Sequence, residues 1–175
     1  SVKITDKRKG IDYLIEACKL LAEKHPEWKE SLGVVVFGNQ SQQLQDLIPF
    51  RVYPLPYIKN EHELVDIYNA VDLFVIPSLE ENLPNMVMEA MSCGVPCVGF
   101  NTGGIPEMID HLHNGYVAQR KSSEDLANGI HWVLTEPEYA ELSAQACRKA
   151  VGNYSESIIA KKYTDVYNKI TGKYA

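Results

Sequence analysis

The sequence predicts an α/β fold, a doubly wound parallel sheet with helices on both faces and a helical C-terminal tail. Three observations carry this expectation. Short apolar runs alternate with amphipathic helical stripes as far as Ala118, as βαβ units require. Runs such as "LGVVVFG" are continuously apolar, the pattern of a strand buried on both faces. From Ser122 onward the periodicity is helical throughout.

Each element has its own signal. The chain opens on "SVKIT", a strand already under way, which points to a piece of a longer protein. "KGIDYLIEACKLLAEKH" places apolar residues at 11, 14, 15, 18, 21 and 22, one stripe of a helix that Pro26 ends. "LGVVVFG" is a strand, "SQQLQDLI" a weaker helix, and "FRVYPL" a short strand. In "NEHELVDIYNAV", Asn60 with Glu63 resembles a capping box, and Leu64, Ile67, Tyr68 and Val71 form the buried face. The strand "LFVIP" then runs into "PSLEENLPN" and a helix on which Pro84 takes the first position. "PCVGF", the loop "NTGG", a short helix "IPEMIDH" and the strand "GYVA" follow. Ser122 caps the next helix, with Asp125 in its first turn, and two more helices cover about 137–151 and 156–170.

Composition narrows the functional classes. A chain of 175 residues with 45% hydrophobic and 23% charged side chains suits one globular domain, not a disordered segment. The net charge of −6 argues against a general nucleic-acid or membrane surface, so any anionic ligand needs a local basic patch such as "DKRKG". No apolar run is long enough to span a bilayer, and the N-terminus lacks a signal-peptide core. Cys18, Cys93, Cys97 and Cys147 lack zinc-type spacing and are read as reduced thiols of a cytoplasmic protein. There is no G-x-x-x-x-G-K-[ST] loop, G-x-G-x-x-G turn or D-x-D pair. A P-loop nucleotidase and a dinucleotide oxidoreductase are disfavoured, and neither a metal nor another cofactor is expected.

Ligands of open α/β sheets bind beyond the carboxyl ends of the strands. Here those loops are "TDKRKG", "FGNQS", "PLPYIKN", "PSLEENLPN" and "FNTGG", a kit suited to a nucleotide-linked, polyhydroxylated ligand. Lys7, Arg8 and Lys9 read either as a solvated charge run or as diphosphate contacts, with Lys9 beside Gly10 the best placed. Glu81 on its loop reads either as a solvated acid near a helix start or as a ligand of sugar hydroxyls. Glu89 lies among Val87, Met88, Ala90 and Met91, where a charge needs a partner; a ribose diol suits it. Glu80 reads as solvent-facing.

The block "PSLEENLPNMVMEAMSCGVPCVGFNTGGIPEMIDHLHNGYVA" resembles the C-terminal, donor-binding half of family 4 retaining glycosyltransferases. Those proteins have the GT-B fold, two Rossmann-like domains facing each other across a cleft. "KGIDYLIEACKLL" and "YNAVDLFVIPS" extend the likeness over nearly the whole chain. The E-x7-E motif falls on Glu81 and Glu89. The resemblance implies that Glu89 binds ribose hydroxyls, Glu81 the donor sugar near its 3- or 4-hydroxyl, and Lys9 the diphosphate. Glu81 and Lys9 are then the catalytic pair. Backbone amides of Asn82, Leu83 and Asn85 face sugar and phosphate, and the segment around Tyr57 and Ile58 contacts the base.

Two departures stand out. Asn82, Leu83 and Pro84 replace a common Gly-Phe-Gly, and Pro84 cannot donate a backbone hydrogen bond. Ile4 stands where an arginine is usual, which leaves Arg8 as the substitute. The likeness implies a single donor-binding domain over residues 1–175, cut from a longer enzyme, with 154–171 as the helix that crosses towards a missing N-terminal acceptor domain. The expected partners are a nucleotide-sugar donor and that domain, not nucleic acid; peripheral membrane association of the full-length protein is compatible. Two alternatives compete: a non-hydrolysing nucleotide-sugar epimerase, which is not expected to carry this glutamate block, and a nonenzymatic nucleotide-sugar-binding module, which turnover by the full-length chain distinguishes.

Overall fold

The architecture follows from how one strand is shared between two cores. In the computed structural model, which describes residues 6–38 and 41–172, β4 (Cys97–Phe100) is buried along its whole length. Its side chains alternate, as strand geometry demands. Val98 and Phe100 join one apolar cluster, and Cys97 joins the other. The first cluster is closed by α1 (Ile11–Lys24) and α5 (Ser123–Thr135), through Ile15, Leu21, Leu126 and Val133. The second is closed by α2 (Glu61–Asn69), α3 (Asn85–Ser92), α4 (Ile105–Met108) and α6 (Tyr139–Tyr154). Helices therefore cover both faces.

All described strand pairs are parallel. β3 (Phe74–Ile76), β4 and β5 (Gly115–Ala118) form one sheet in that order, with Val75 opposite Val98 and Val98 opposite Tyr116. β1 (Gly33–Phe37) and β2 (Arg51–Leu55) form a second, two-stranded sheet. Pro54 is tolerated in β2 because that strand has one described neighbour and no ladder bond is lost on its open side. Among the described residues the parallel strands group into these two sheets. The stretch "SVKIT", read as a strand, lies outside them, as do Asn39 and Gln40 of "FGNQS".

Two expectations about single elements need correction. β1 is not buried on both faces: Val36 is its one buried residue, with Val34, Val35 and Phe37 half-buried and Gly33 exposed. "SQQLQDLI" forms a 3₁₀ turn at Ser41–Leu44 rather than a helix, although Leu44 and Ile48 are buried at helical spacing. Eight residues stopped by Pro49 do not repay helix nucleation. Both residues act as caps, though Asn60 without the reciprocal Glu63 bond of a capping box: its side chain accepts from the His62 amide, and Ser122 Oγ accepts from the Asp125 amide at 3.1 Å. The last helix, α7 (Glu156–Thr171), buries no residue and exposes Tyr163, Val166, Tyr167 and Ile170. No helix among the described residues is long and apolar enough to cross a membrane.

Candidate nucleotide-sugar site

The basic stretch folds into a turn before it meets anything else. The Asp6 carboxylate accepts from the Arg8 amide, the Lys9 amide donates to the Asp6 carbonyl, and residues 7–9 close one 3₁₀ turn. Gly10 ends that turn at φ 64° and opens α1. A Cβ at this position would run into the Pro77 carbonyl, so only glycine lets the turn lie against the end of β3. The Leu79 amide then donates to the Arg8 carbonyl at 2.7 Å, tying the turn to the loop that carries Glu81.

That loop is clasped from its other side by the segment after β4. The Gly104 amide donates to the Asn82 carbonyl at 2.5 Å, and Thr102 Oγ1 donates to the Leu79 carbonyl at 3.1 Å. Gly103 has φ 52° and lies so close to the Glu81 carbonyl that a Cβ would overlap it. "NTGG" is therefore a backbone buttress.

Between these clasps is an open cavity of about 600 Å³, lined by Arg8, Lys9, Leu79, Glu80, Glu81, Asn82, Thr102 and Arg120. Lys9 Nζ and Glu81 Oε1 are 2.7 Å apart, with the Glu81 side chain 16% exposed and that of Lys9 42%. Partial burial makes this pair worth more than an ordinary surface pair. Lys9 keeps further N–H donors and Glu81 a second oxygen, so both can still meet a ligand. Glu80 is exposed, as read, and also forms part of the wall. Arg8 lines the wall too, but its guanidinium holds Asp6 bidentately at 3.0 and 2.9 Å. That pairing pulls the Asp6 carboxyl below, and pushes the Arg8 guanidinium above, its ordinary pKa.

Glu89 belongs to a different environment and does not line this cavity. It is the fifth residue of α3, half-buried, and its Oε2 accepts from the Tyr68 hydroxyl at 3.1 Å. Tyr68 is 2% exposed, and burial followed by the adjacent Glu89 charge pushes its phenol pKa far up. The tyrosine stays a neutral donor, which orients the carboxylate. Pro84 is the N-cap of α3 (ψ 115°) rather than its first residue, a shift of one position. No side chain caps this helix, which leaves the first-turn amides of Asn85 and Met86 uncapped. Of the other expected residues, Asn82 lines the cavity, while Leu83 and Asn85 are exposed and lie off its wall. Tyr57, 54% exposed, and Ile58 lie on the loop between β2 and α2, away from the cavity.

Arg120 and Thr102 are cavity residues that were not singled out from sequence. Both follow the rule for strand ends: Thr102 lies beyond β4, in the "FNTGG" loop, and Arg120 beyond β5. Applying that rule to "GYVA" as well would have found the arginine. Among the described residues no group of three or more His, Cys, Asp or Glu side chains is placed to hold a metal ion. The four cysteines are free.

The family model "Glycosyl transferases group 1" matches residues 1–150. The chain belongs to that family. It is 30% identical over 139 residues to an uncharacterized glycosyltransferase of Haemophilus influenzae, covering 77% of this chain and 39% of that protein. It is 32% identical over 166 residues to an uncharacterized glycosyltransferase of Methanocaldococcus jannaschii, covering 91% and 42%. The chain thus spans about two fifths of the length of these relatives. Among solved structures, Anabaena HepE in complex with UDP-glucose matches with a TM-score of 0.75 at 24% identity, over 94% of this chain and 46% of that one. The C-terminal domain of a group 1 glycosyl transferase from Francisella tularensis matches at 21% identity, over 86% of this chain and 82% of that one, with a TM-score of 0.71. This member of the group 1 family therefore shares its fold with the matched part of those glycosyltransferase structures, and the Lys9–Glu81 cavity opens at the strand ends, where an open α/β sheet takes its ligand.

Proposed function

We propose that this chain is the donor-binding half of a family 4 retaining hexosyltransferase that uses a UDP- or GDP-sugar. The carrying observation is the Lys9–Glu81 pair in a cavity clasped by Gly10 and Gly103. Lys9 takes the diphosphate, Glu81 a hydroxyl at position 3 or 4 of the sugar, and Glu89, aimed by Tyr68, the ribose diol. The backbone of Asn82 to Asn85 lies along sugar and phosphate, and the Tyr57–Ile58 segment meets the base. Arg8, held by Asp6, adds positive field at the wall without a direct contact.

In the full-length enzyme the bond between the anomeric carbon and the diphosphate oxygen breaks, and an acceptor hydroxyl oxygen attaches on the same face. The departing phosphate takes that hydroxyl's proton. Lys9 and the α3 amides stabilise the charge left on the diphosphate. No resident metal or cofactor enters this account. Residues 1–175 form one donor domain with little turnover alone, and α7 turns its exposed tyrosines and Ile170 towards an N-terminal acceptor domain.

The relatives support the reading. One, a Campylobacter jejuni protein 30% identical over 115 residues, is named as an N-acetylgalactosaminyltransferase acting on an undecaprenyl-diphosphate-linked sugar. By that analogy the pathway is polysaccharide or glycoconjugate biosynthesis in the cytoplasm, with peripheral membrane association of the full-length enzyme. A thermal-shift screen of this chain against nucleotide-sugars tests the donor assignment. A rise in melting temperature with UDP- or GDP-sugars is expected, and none with any nucleotide-sugar would sink it.

A further inference from the structure

The charge inventory of the cavity is uneven. Three cations line it, Arg8, Lys9 and Arg120, against two carboxylates, Glu80 and Glu81. Arg8 is committed to Asp6 through both arms of its fork, and Lys9 is paired with Glu81. Arg120 forms no ion pair among the described residues; its Nε and Nη2 donate to the neutral Leu79 carbonyl at 3.2 and 3.0 Å. Two of its five N–H groups are thereby spent on a main-chain anchor, and three remain for a ligand.

The anchor is built from further back in the chain. Arg120 sits in a turn closed by the Ser122 amide donating to the Gln119 carbonyl, with Lys121 at φ 66°. Asp125, in the first turn of α5, accepts from the Gln119 amide at 2.6 Å and from the Tyr116 hydroxyl at 2.9 Å. The arginine is therefore fixed at both ends, by its turn and by its fork. It lies beside the Glu81 loop with no carboxylate within ion-pair distance among the described residues, although Glu80 belongs to the same wall.

We propose that Arg120 binds an oxyanion of the substrate held in the Lys9–Glu81 cavity. The proposal rests on the nucleotide-sugar reading of that cavity. Two substrate groups present this chemistry, the donor's diphosphate and a carboxylate on an acidic transferred sugar. A planar fork with free donors recognises either, whereas a neutral hexose alone gives it nothing to neutralise.

The test is calorimetric titration of this chain with UDP, GDP, UDP-glucose and UDP-glucuronate, for wild type, Arg120→Gln and Arg120→Lys. Thr102 Oγ1 still satisfies the Leu79 carbonyl in both variants, and the melting temperature without ligand checks the fold. Arg120→Gln is expected to weaken binding by about ten- to a hundredfold, the range for a charge-assisted contact. Arg120→Lys, which keeps charge but not the fork, falls between it and wild type. Equal losses for the nucleoside diphosphates and all their sugars place Arg120 on the diphosphate. A loss confined to UDP-glucuronate places it on the sugar carboxylate. Wild-type affinity for every probe in both variants overturns the proposal while leaving the nucleotide-sugar reading intact. Absence of binding by the wild type to any of the four probes overturns both.

Discussion

The loop that carries Glu81 and the helix that carries Glu89 are built on different terms, although the two glutamates are only eight residues apart. Around Glu81, backbone holds backbone: Leu79 is tied to Arg8, Asn82 to Gly104, and two left-handed glycines allow the close approach. The Lys9–Glu81 ion pair is laid on top of that frame. Around Glu89 the frame is a helix, and its one side-chain partner is a buried phenol. The difference teaches that the first glutamate depends on glycine geometry, and the second on a hydrogen bond from a buried phenol whose hydroxyl also lies 3.4 Å from the Met86 carbonyl.

Breaking the frame has the largest expected effect. Gly103→Ala forces a side chain into the Glu81 carbonyl at a positive φ and is expected to cost about 3 kcal/mol of stability. Nucleotide affinity should fall with it. Urea unfolding checks this, and a near-wild-type midpoint would show that the clasp is dispensable. Removing charges comes next. Lys9→Ala and Glu89→Ala should each weaken UDP or GDP binding by about 1–3 kcal/mol.

Tyr68→Phe sharpens the comparison on the Glu89 side. It deletes the hydroxyl that orients the carboxylate and should reduce nucleotide affinity by about 0.5–1.5 kcal/mol. The same variant should not alter any contribution of Glu81 to sugar binding, measured as the affinity ratio of UDP-sugar to UDP. A changed ratio would mean that the two regions are coupled. The smallest effect belongs to Arg8→Gln, expected to shift affinity by less than about 0.5 kcal/mol because Asp6 already occupies its fork.

The sequence was most readable where chemistry is local. The Asn60 and Ser122 caps, the helix of the glutamate block and the alternation of strands and helices all follow from neighbours a few residues apart. It was least readable where partners are distant. Tyr68 was placed on the buried face of its helix, but its polar tip meets Glu89 21 residues later. Lys9 and Glu81 each carried a separate ligand role, and their mutual pairing spans 72 residues. Arg8 looked free because a carboxylate two residues away is a partner only once the 3₁₀ turn forms. Arg120 was hidden in the polar run "QRKSSED", whose clearest signal was the cap of the following helix.

The most direct test is calorimetric titration of UDP and GDP into this chain and into Lys9→Ala and Glu89→Ala. The account predicts saturable binding by the wild type to at least one nucleotide, with affinity lowered about fivefold or more in each variant. Binding of equal strength in all three proteins would contradict it.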